Sequence, residues 1–360
     1  MGGDKKRSKG LPEYLELQRT HVHCGPDVNK HTTTFTSANV FEPLCIDNSW
    51  NLEAFKSDLQ IEVNHLDDEV MEFDLIGVDP AIANALRRIL LAEVPTVAIE
   101  HVFMINNTSI MQDEVLSHRL GLVPLRVDPK LFDFKLAEEA PSEKNTVVFK
   151  LDVRCTRQGT RLINDKVTSN MLQWMPAGSQ LPEETSCRFT QGQAHLVPSQ
   201  QEQKGKKFMA PVHEDILLTK LRPGQCIQLE AHAVKGIGKT HAKWSPVATA
   251  WYKLLPEVVL LTDDVPESVA KTLLDAAPGL FVRKPDGKLA VTNARHHEKH
   301  LEKVRVLLDQ EAIAQVVQYR KRKDHFIFTI ESTGILPPDV LFEQALSILH
   351  DKAEQLANKL

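Results

Sequence analysis

The sequence predicts an α+β fold in which early and late segments of the chain together form one domain. This domain is expected to pair with a partner. Three observations support this prediction. Apolar and polar residues alternate over 59–63 and again over 70–76, which is typical of a half-buried β-hairpin. Two helices, over 80–94 and 337–360, each carry an apolar face wider than one sheet can cover. The surplus apolar surface needs a second covering element, which a partner helix would provide.

Composition and charge argue against several classes of protein. The chain has 360 residues, of which 42% are hydrophobic, and a net charge of −5. This acidic balance argues against autonomous nucleic-acid binding, which needs a basic domain or face. There is no apolar run long enough to span a membrane. Because no apolar segment follows the basic start at residues 5–7, a secretory signal is not indicated and we expect an intracellular protein.

The cysteine spacing does not predict a metal site. The five cysteines are far apart in sequence: Cys24, Cys45, Cys155, Cys187 and Cys226. Without a Cys-x-x-Cys pair, zinc ribbons and thioredoxin-like motifs lack their ligands, so we expect free thiols and no cofactor. His21 and His23 could begin a site beside Cys24, but only His31 could supply a fourth ligand. Solvated side chains are the favoured interpretation.

The first 57 residues have no sustained period and are predicted to form a partly ordered extension. The hairpin follows, with its turn at Asp67 and Asp68. Asp79 and Pro80 then start a helix, because aspartate caps free amides and proline suits the first helical position. The helix is expected to stop before Pro95.

The helix over 80–94 carries the strongest signal. At about 100° per residue, its apolar side chains fill an arc of roughly 220°, interrupted only by Glu93. Asn84, Arg87 and Arg88 occupy the remaining sector together with Leu91. Either this helix is buried inside its own domain, or it faces its own sheet on one side and a partner helix on the other.

The middle of the chain is predicted to hold short elements between loops. The pattern indicates strands over 97–105, 147–155 and 226–234, and helices over 113–122 and 208–221. Residues 128–146 and 176–207 are polar or rich in proline and glycine, and are predicted to be loops.

A glycine-rich segment over 235–247 nearly matches a phosphate-binding loop. Ala233 stands where such a loop has its first glycine, and Gly238, Lys239 and Thr240 follow. A helix must follow Thr240, yet Pro246 and a predicted strand come next. We favour a tight loop whose glycines permit unusual dihedral angles and the close approach of another chain. A nucleotide-binding enzyme using residues 233–240 is the alternative.

The last third of the chain is predicted to end in a long helix. Strands are predicted over 247–255, 258–261 and 326–331, and a short helix over 266–276. The terminal helix would be roughly 35 Å long and apolar over about half its circumference, with Lys352 as the one interruption.

Two polar clusters in this part have simple interpretations. The basic run at residues 320–323 is predicted to be a solvated turn, with a nuclear-import signal or a phosphate contact as alternatives. His296, His297 and His300 could place two imidazoles on one helical face, but a solvated helix is favoured because no further ligand is indicated.

Four long motifs resemble those of the alpha-type subunits of cellular RNA polymerases, in the same order. The first reads Asp79-Pro-Ala-Ile-Ala-Asn-Ala-Leu-Arg-Arg and continues to residue 95. The others are residues 106–124, residues 236–247, and residues 324–332 with the terminal helix. The resemblance covers about residues 58–360. Within this family, which includes bacterial alpha and archaeal D subunits, the chain looks most like the larger alpha-like subunits shared by eukaryotic RNA polymerases I and III. The extension before residue 58 favours these over the polymerase II and archaeal subunits, whose core starts near the N-terminus.

This resemblance implies an organisation and a role. A discontinuous alpha-type dimerisation domain, a sheet plus two interface helices, would span about 58–105 and 230–360, with an inserted mixed α/β domain over 106–229. The chain would be a non-catalytic assembly subunit that supports ribosomal RNA, 5S RNA and tRNA transcription. Many relatives carry clustered cysteines in the insertion. Because this insertion has no close cysteine pair, no metal is carried over.

The resemblance also implies partners and location. The chain would form a heterodimer with the smaller alpha-like polymerase subunit and contact the second-largest and largest subunits and small zinc-binding subunits. No sequence-specific DNA contact and no membrane association are expected. The protein would be assembled in the cytoplasm and act in the nucleolus and nucleoplasm.

Candidate contact residues come from the two helices and from the returning loop. The expected partner interface is Ile82, Asn84, Leu86, Arg87, Arg88, Ile89, Leu90, Leu346, Leu349 and Leu356. Arg87 and Arg88 match an arginine pair that helps bacterial alpha subunits to contact a large catalytic subunit. The loop expected at the domain junction contains Gly236, Gly238, His241, Lys243 and Trp244.

Overall fold

The computed structural model describes residues 11–33, 40–196 and 207–360. The basic start at residues 5–7 and part of the predicted loop over 176–207 lie outside the described residues. The helices are α1 Glu13–Thr20, α2 Leu52–Asp58, α3 Pro80–Ala92, α4 Asp113–Gly121, α5 Pro182–Thr185, α6 Glu267–Ala276, α7 Glu298–Leu307, α8 Glu311–Ala314 and α9 Pro338–Ala357.

The strands are named in chain order. They are β1 His21–Cys24, β2 Asn29–Lys30, β3 Gln60–Leu66, β4 Val70–Ile76, β5 Pro95–Asn107, β6 Leu125–Arg126, β7 Thr146–Arg154, β8 Thr156–Gln158, β9 Arg161–Ile163, β10 Lys166–Thr168, β11 Gln173–Trp174, β12 Ala210–Pro211, β13 Leu217–Lys220, β14 Cys226–Ile237, β15 Val247–Leu260, β16 Phe281–Arg283, β17 Leu289–Val291 and β18 Val317–Ser332. The predicted α+β class is confirmed by this mixture of sheets and helices.

The chain divides into two compact units. The first comprises residues 1–64, 72–84 and 251–328. Its sheet has the order β2-β1-β18-β4-β3, and β15 also pairs with β18. Phe73 of β4 is fully buried and stacks on Phe328 of β18, with ring centroids 5.2 Å apart. A second apolar cluster includes Leu273 of α6 and Val304 of α7, both 0% exposed.

The second unit comprises residues 65–71, 85–250 and 329–360. Its main sheet has the order β11-β7-β14-β5, and β14 pairs with both β5 and β7 along nearly its whole length. Its core includes Phe149, Leu151, Leu116 and Leu120, all 0% exposed. The domain boundaries expected at residues 105 and 230 fall inside β5 and β14.

Most predicted elements are present. The hairpin of β3 and β4, the helix at 80–92, the short helix ending at Gly121 and the terminal helix all lie where the pattern places them. Asp79 caps α3 as expected, since its Oδ1 accepts a hydrogen bond from the amide of Ala81 at 2.8 Å. Among the described residues, no helix is long and apolar enough to cross a bilayer.

The helix predicted over 208–221 is wrong. That segment forms β12 and β13, which pair with β6 and β10. Pro211 has no amide hydrogen for a helical ladder, and the strand partners are distant in sequence, so local periodicity does not reveal them.

The solvated turn predicted at 320–323 is also wrong, because these residues lie inside β18. Arg320 donates from Nε to Glu257 at 2.8 Å. Lys323 is 6% exposed and donates from Nζ to the carbonyls of Gln18 and Thr33 at 2.7 and 2.6 Å. The basic run therefore holds the N-terminal extension on the sheet.

The N-terminal extension contributes ordered structure to the first unit. Its strand β1 pairs antiparallel with β18, and His21 lies opposite Arg322. Cys24 is 2% exposed and belongs to the apolar cluster around α6 and α7, so the expectation of solvated side chains is wrong for this cysteine.

Candidate subunit interface

The apolar face of α3 is largely covered within the chain. Leu86, Ile89 and Leu90 are 2%, 3% and 0% exposed, whereas Ile82 is half-buried and Arg88 is exposed. These three apolar side chains are therefore buried within the chain's own fold. This agrees with the alternative that the helix is buried inside its own domain, and the place of these three residues in a partner interface stays a prediction. Asn84 and Arg87, expected beside them, are half-buried and make interactions within the chain.

The terminal helix α9 changes character along its length. In its first half, Leu341, Phe342 and Ala345 are 0%, 6% and 0% exposed. From Leu346 onward no side chain is buried, and residues 351–360 are all exposed. The first half therefore packs on its own unit, and the second half is free to contact another molecule.

The exposed half of α9 carries a narrow apolar stripe. Apart from the half-buried Ile348, its apolar side chains fall within roughly 100° of one another at about 100° per residue. They are Leu346, Leu349, Ala353, Leu356, Ala357 and Leu360. We call this set the α9 stripe. Leu346 and Leu356 are 41% and 61% exposed. A stripe of this width is typical of a helix that packs against one other helix.

The glycine loop is bound to the end of α3. A Cβ atom on Gly238 would lie 2.3 Å from the carbonyl oxygen of Leu91, and the amide of Lys239 donates to the carbonyl of Ala92 at 2.8 Å. A Cβ atom on Gly236 would lie 2.4 Å from Cε2 of Trp244. A close approach is present, but the approaching segments belong to this chain and not to another one, and neither Gly236 nor Gly238 has a positive φ, so the predicted unusual dihedral angles are absent there.

Trp244 fixes the other side of the loop. It is 5% exposed, and its Nε1 donates to the carbonyl of Val234 at 3.1 Å. Its own carbonyl accepts from the hydroxyl of Thr96 at 2.7 Å. Thr96 is a buried partner that could not be predicted, because nothing in its local sequence distinguishes it from other strand threonines.

Lys243 and His241 complete the loop. Lys243 lies over the Trp244 ring at 4.4 Å, donates to the carbonyl of Ile99 at 2.9 Å, and forms an ion pair with Glu100. His241 accepts from the amide of Lys243 at 3.1 Å through Nδ1. The contacts of this loop therefore connect β14, β5 and the end of α3. We call the five loop residues expected from sequence the loop latch; they are Gly236, Gly238, His241, Lys243 and Trp244.

One ion pair connects the two helices. Lys352 of α9 lies 2.6 Å from Glu93, which follows the end of α3. Lys352 was the single interruption expected in the apolar face of α9, and Glu93 was the one in α3. The two charged side chains therefore compensate each other beside the α9 stripe.

The loop lacks the geometry of a nucleotide site. A phosphate-binding loop presents free amides at the start of a helix. Here the amides of Lys239 and Thr240 already donate to the carbonyls of Ala92 and Ile237. The segment after Thr240 is a short 3-10 turn, Ala242–Trp244, followed by β15. The geometry therefore disfavours the nucleotide-binding alternative.

The described residues offer little for a metal. Cys24, Cys45, Cys155, Cys187 and Cys226 are free thiols. Within the described ranges, His350, Asp351 and Glu354 alone bring three such ligand atoms together, and all three are exposed. Exposed side chains of this kind are common without a bound ion. His297 and His300 have ring centroids 6.4 Å apart.

Comparison with known proteins places these features in a family. Residues 72–353 match the model of the RNA polymerase Rpb3/Rpb11 dimerisation domain. A protein of Bos taurus named DNA-directed RNA polymerases I and III subunit RPAC1 is 40% identical over 361 residues, covering 96% of each chain. The subunit of the same name from Saccharomyces cerevisiae is 38% identical over 324 residues, covering 87% of this chain and 90% of its own.

A more distant relative shares the same region. The protein of Arabidopsis thaliana named DNA-directed RNA polymerases II, IV and V subunit 3 is 31% identical over 308 residues, covering 82% of this chain and 89% of its own. The extent of the family match and these identities agree with the motifs and the terminal helix described above. The chain belongs to the family of alpha-like RNA polymerase subunits that carry the Rpb3/Rpb11 dimerisation domain.

Proposed function

We propose that this protein is a non-catalytic assembly subunit of DNA-directed RNA polymerases I and III. The proposal is supported by the relatives that carry this name at about 40% identity over almost the whole chain. It would be a scaffold of the enzymes that transcribe ribosomal RNA, 5S RNA and tRNA. It would be assembled in the cytoplasm and would act in the nucleus, in both the nucleolus and the nucleoplasm.

The observation that carries this proposal is the α9 stripe, together with the dimerisation-domain match. An apolar stripe left in water on a helix marks an interaction site. We propose that the smaller alpha-like subunit covers it with a helix of its own, and that Leu346, Leu349 and Leu356 are central contacts. Leu86, Ile89 and Leu90 would support this surface from inside the chain, and Ile82, one turn earlier on α3, would be a further contact residue.

We propose a second contact at the exposed side chain of Arg88, beside Arg87 and Asn84. This surface would bind the second-largest polymerase subunit, and the largest subunit and the small zinc-binding subunits would join the assembly. The discontinuous dimerisation domain over about 58–105 and 230–360, with its insertion over 106–229, belongs to the same proposal. The loop latch around Trp244 would hold the end of α3 in place for these contacts.

Stepwise reconstitution tests this function. The full chain is coexpressed with the smaller alpha-like subunit, and the second-largest subunit is then added in a pull-down. We expect a heterodimer that recruits the second-largest subunit. Arg88→Ala should leave the heterodimer intact and weaken recruitment, because removal of one partner of an interfacial ion pair costs about 2–5 kcal/mol. A heterodimer that recruits no large subunit would contradict the assembly role.

A further inference from the structure

The edge of the sheet in the first unit has an unusual surface. β3 is the last strand in the order β2-β1-β18-β4-β3, so within the described residues only β4 pairs with it. All seven of its residues are exposed. At about 3.3 Å per residue it offers roughly 23 Å of strand edge with unpaired backbone groups.

The apolar face of the sheet continues onto this edge. Asn64 donates from Nδ2 to Asp74 Oδ1 at 2.8 Å, which places Asn64 on the Asp74 face of the hairpin. Because side chains alternate along a strand, Ile61 and Val63 project from the opposite face. That is the face of the buried Phe73 on β4, yet Ile61 and Val63 are 46% and 53% exposed.

Such an edge is normally protected in soluble proteins. Edge strands carry lysine, proline or a bulge that prevents pairing with another chain. β3 has no lysine and no proline in its sequence Gln-Ile-Glu-Val-Asn-His-Leu. Its apolar side chains and its free backbone edge therefore suit a partner in the β conformation.

The other face of the hairpin carries an excess of negative charge. Glu62 is exposed, and Glu72 and Asp74 follow on the neighbouring strand. Arg295 donates to Asp74 at 2.8 and 2.9 Å and to Glu72 at 2.7 Å, and Nε2 of His325 lies 2.7 Å from Asp74, so these two carboxylates already have partners within the chain. A partner strand with a basic side chain on this face would complement Glu62.

We propose that β3 is a docking edge for an extended segment of another polypeptide, which adds to the sheet as a further strand and alternates apolar with basic side chains. This goes beyond the proposed function, because it concerns the sheet edge in the first unit and not the α9 stripe. Its apolar side chains would cover Ile61 and Val63, and its basic side chains would face Glu62.

Hydrogen exchange measures directly whether a further strand pairs with β3. Amide exchange of residues 60–64 is compared between the soluble fraction of the full chain, over the range of concentrations in which it stays in solution, and the polymerase complex purified through a tag on the same chain. We expect ready exchange in the chain alone at every concentration. In the complex we expect exchange to slow by about 10-fold or more, as for amides that enter a sheet ladder.

Variants separate the edge from its surroundings. In complexes carrying Ile61→Lys with Val63→Lys, or Glu62→Lys, the added protection should be lost, whereas Glu62→Gln should keep most of it. Equal exchange with and without the complex would overturn the proposal. Protection that is already present in the chain alone would assign the edge to another segment of this chain. Protection that grows with concentration would show that a second copy of this chain covers the edge. Both of these results would overturn the proposal that a different polypeptide binds there.

Discussion

At the residue scale, the loop latch shows how small side chains create a rigid junction. Gly236 and Gly238 are needed because Trp244 and the Leu91 carbonyl occupy the space a side chain would need. Lys243 then covers the indole ring and binds the backbone of β5. The glycines resemble a phosphate-binding pattern in sequence, but their role is close packing of protein on protein.

The first prediction follows from this packing. Gly238→Ala should destabilise the chain by about 1–3 kcal/mol, because the neighbouring atom is backbone and cannot move aside cheaply. The matched control is Lys239→Ala, whose exposed side chain should change stability by less than about 0.5 kcal/mol. Chemical unfolding of both variants measures the difference. Equal stability of the two variants would mean that the loop relaxes freely.

A second prediction concerns Glu257 on β15. Hydrogen bonds from His21 and Arg320 lower the pKa of its carboxyl to about 2. Because the folded pKa lies below the unfolded value of 4.5, the carboxylate stabilises the fold above that pH. The contribution is lost as the pH falls from 4.5 toward about 2.

Glu257→Gln should therefore cost about 1 kcal/mol at neutral pH, a figure reduced for the partial exposure of the group, and the difference should shrink in acid. Unfolding of both chains by urea across this pH range provides the test. A cost that is constant with pH would show that the carboxylate is not the stabilising group.

At the element scale, α3 and α9 give the same pattern on a helical wheel and yet differ in the structure. Periodicity measures the width of an apolar arc, but it does not identify the segment that covers it. Leu90 of α3 is 0% exposed and Leu356 of α9 is 61% exposed. The hairpin, the cap at Asp79 and the terminal helix could all be predicted because their signals are local. The strands β12 and β13 could not, since their partners are distant in sequence.

The third prediction uses the α9 stripe. Leu356→Asp should weaken binding to the smaller alpha-like subunit by about 2–4 kcal/mol, because a carboxylate would lose water without gaining a partner. Gln355→Asp, at an exposed position about 100° from Leu356 around the helix and outside the α9 stripe, is the control and should bind normally. We choose Leu356 because it is exposed, so its substitution should not destabilise the fold. Leu349 is half-buried, so a substitution there would also affect stability.

Binding is measured by titration calorimetry, and circular dichroism checks that both variants keep their helix content. Equal affinity of the Leu356→Asp and Gln355→Asp variants would move the partner surface away from α9.

At the scale of the whole molecule, the chain is a scaffold that leaves the apolar α9 stripe exposed to water. Its net charge of −5 gives no general attraction to nucleic acid. The family match over residues 72–353 and the exposed end of α9 together make pairing its central property. The existence of a partner could be inferred from sequence. Which part of α9 remains exposed could not be inferred from sequence, because the burial of a side chain depends on contacts made across the whole fold.

The most direct test of pairing is the mass of the particle that the full chain forms, measured by native mass spectrometry. The chain is expressed alone and with the smaller alpha-like subunit. We expect self-association or aggregation of the chain alone, because the α9 stripe is exposed to water, and a one-to-one heterodimer on coexpression. A stable monomer in both samples would contradict the account, since the stripe would then need no partner.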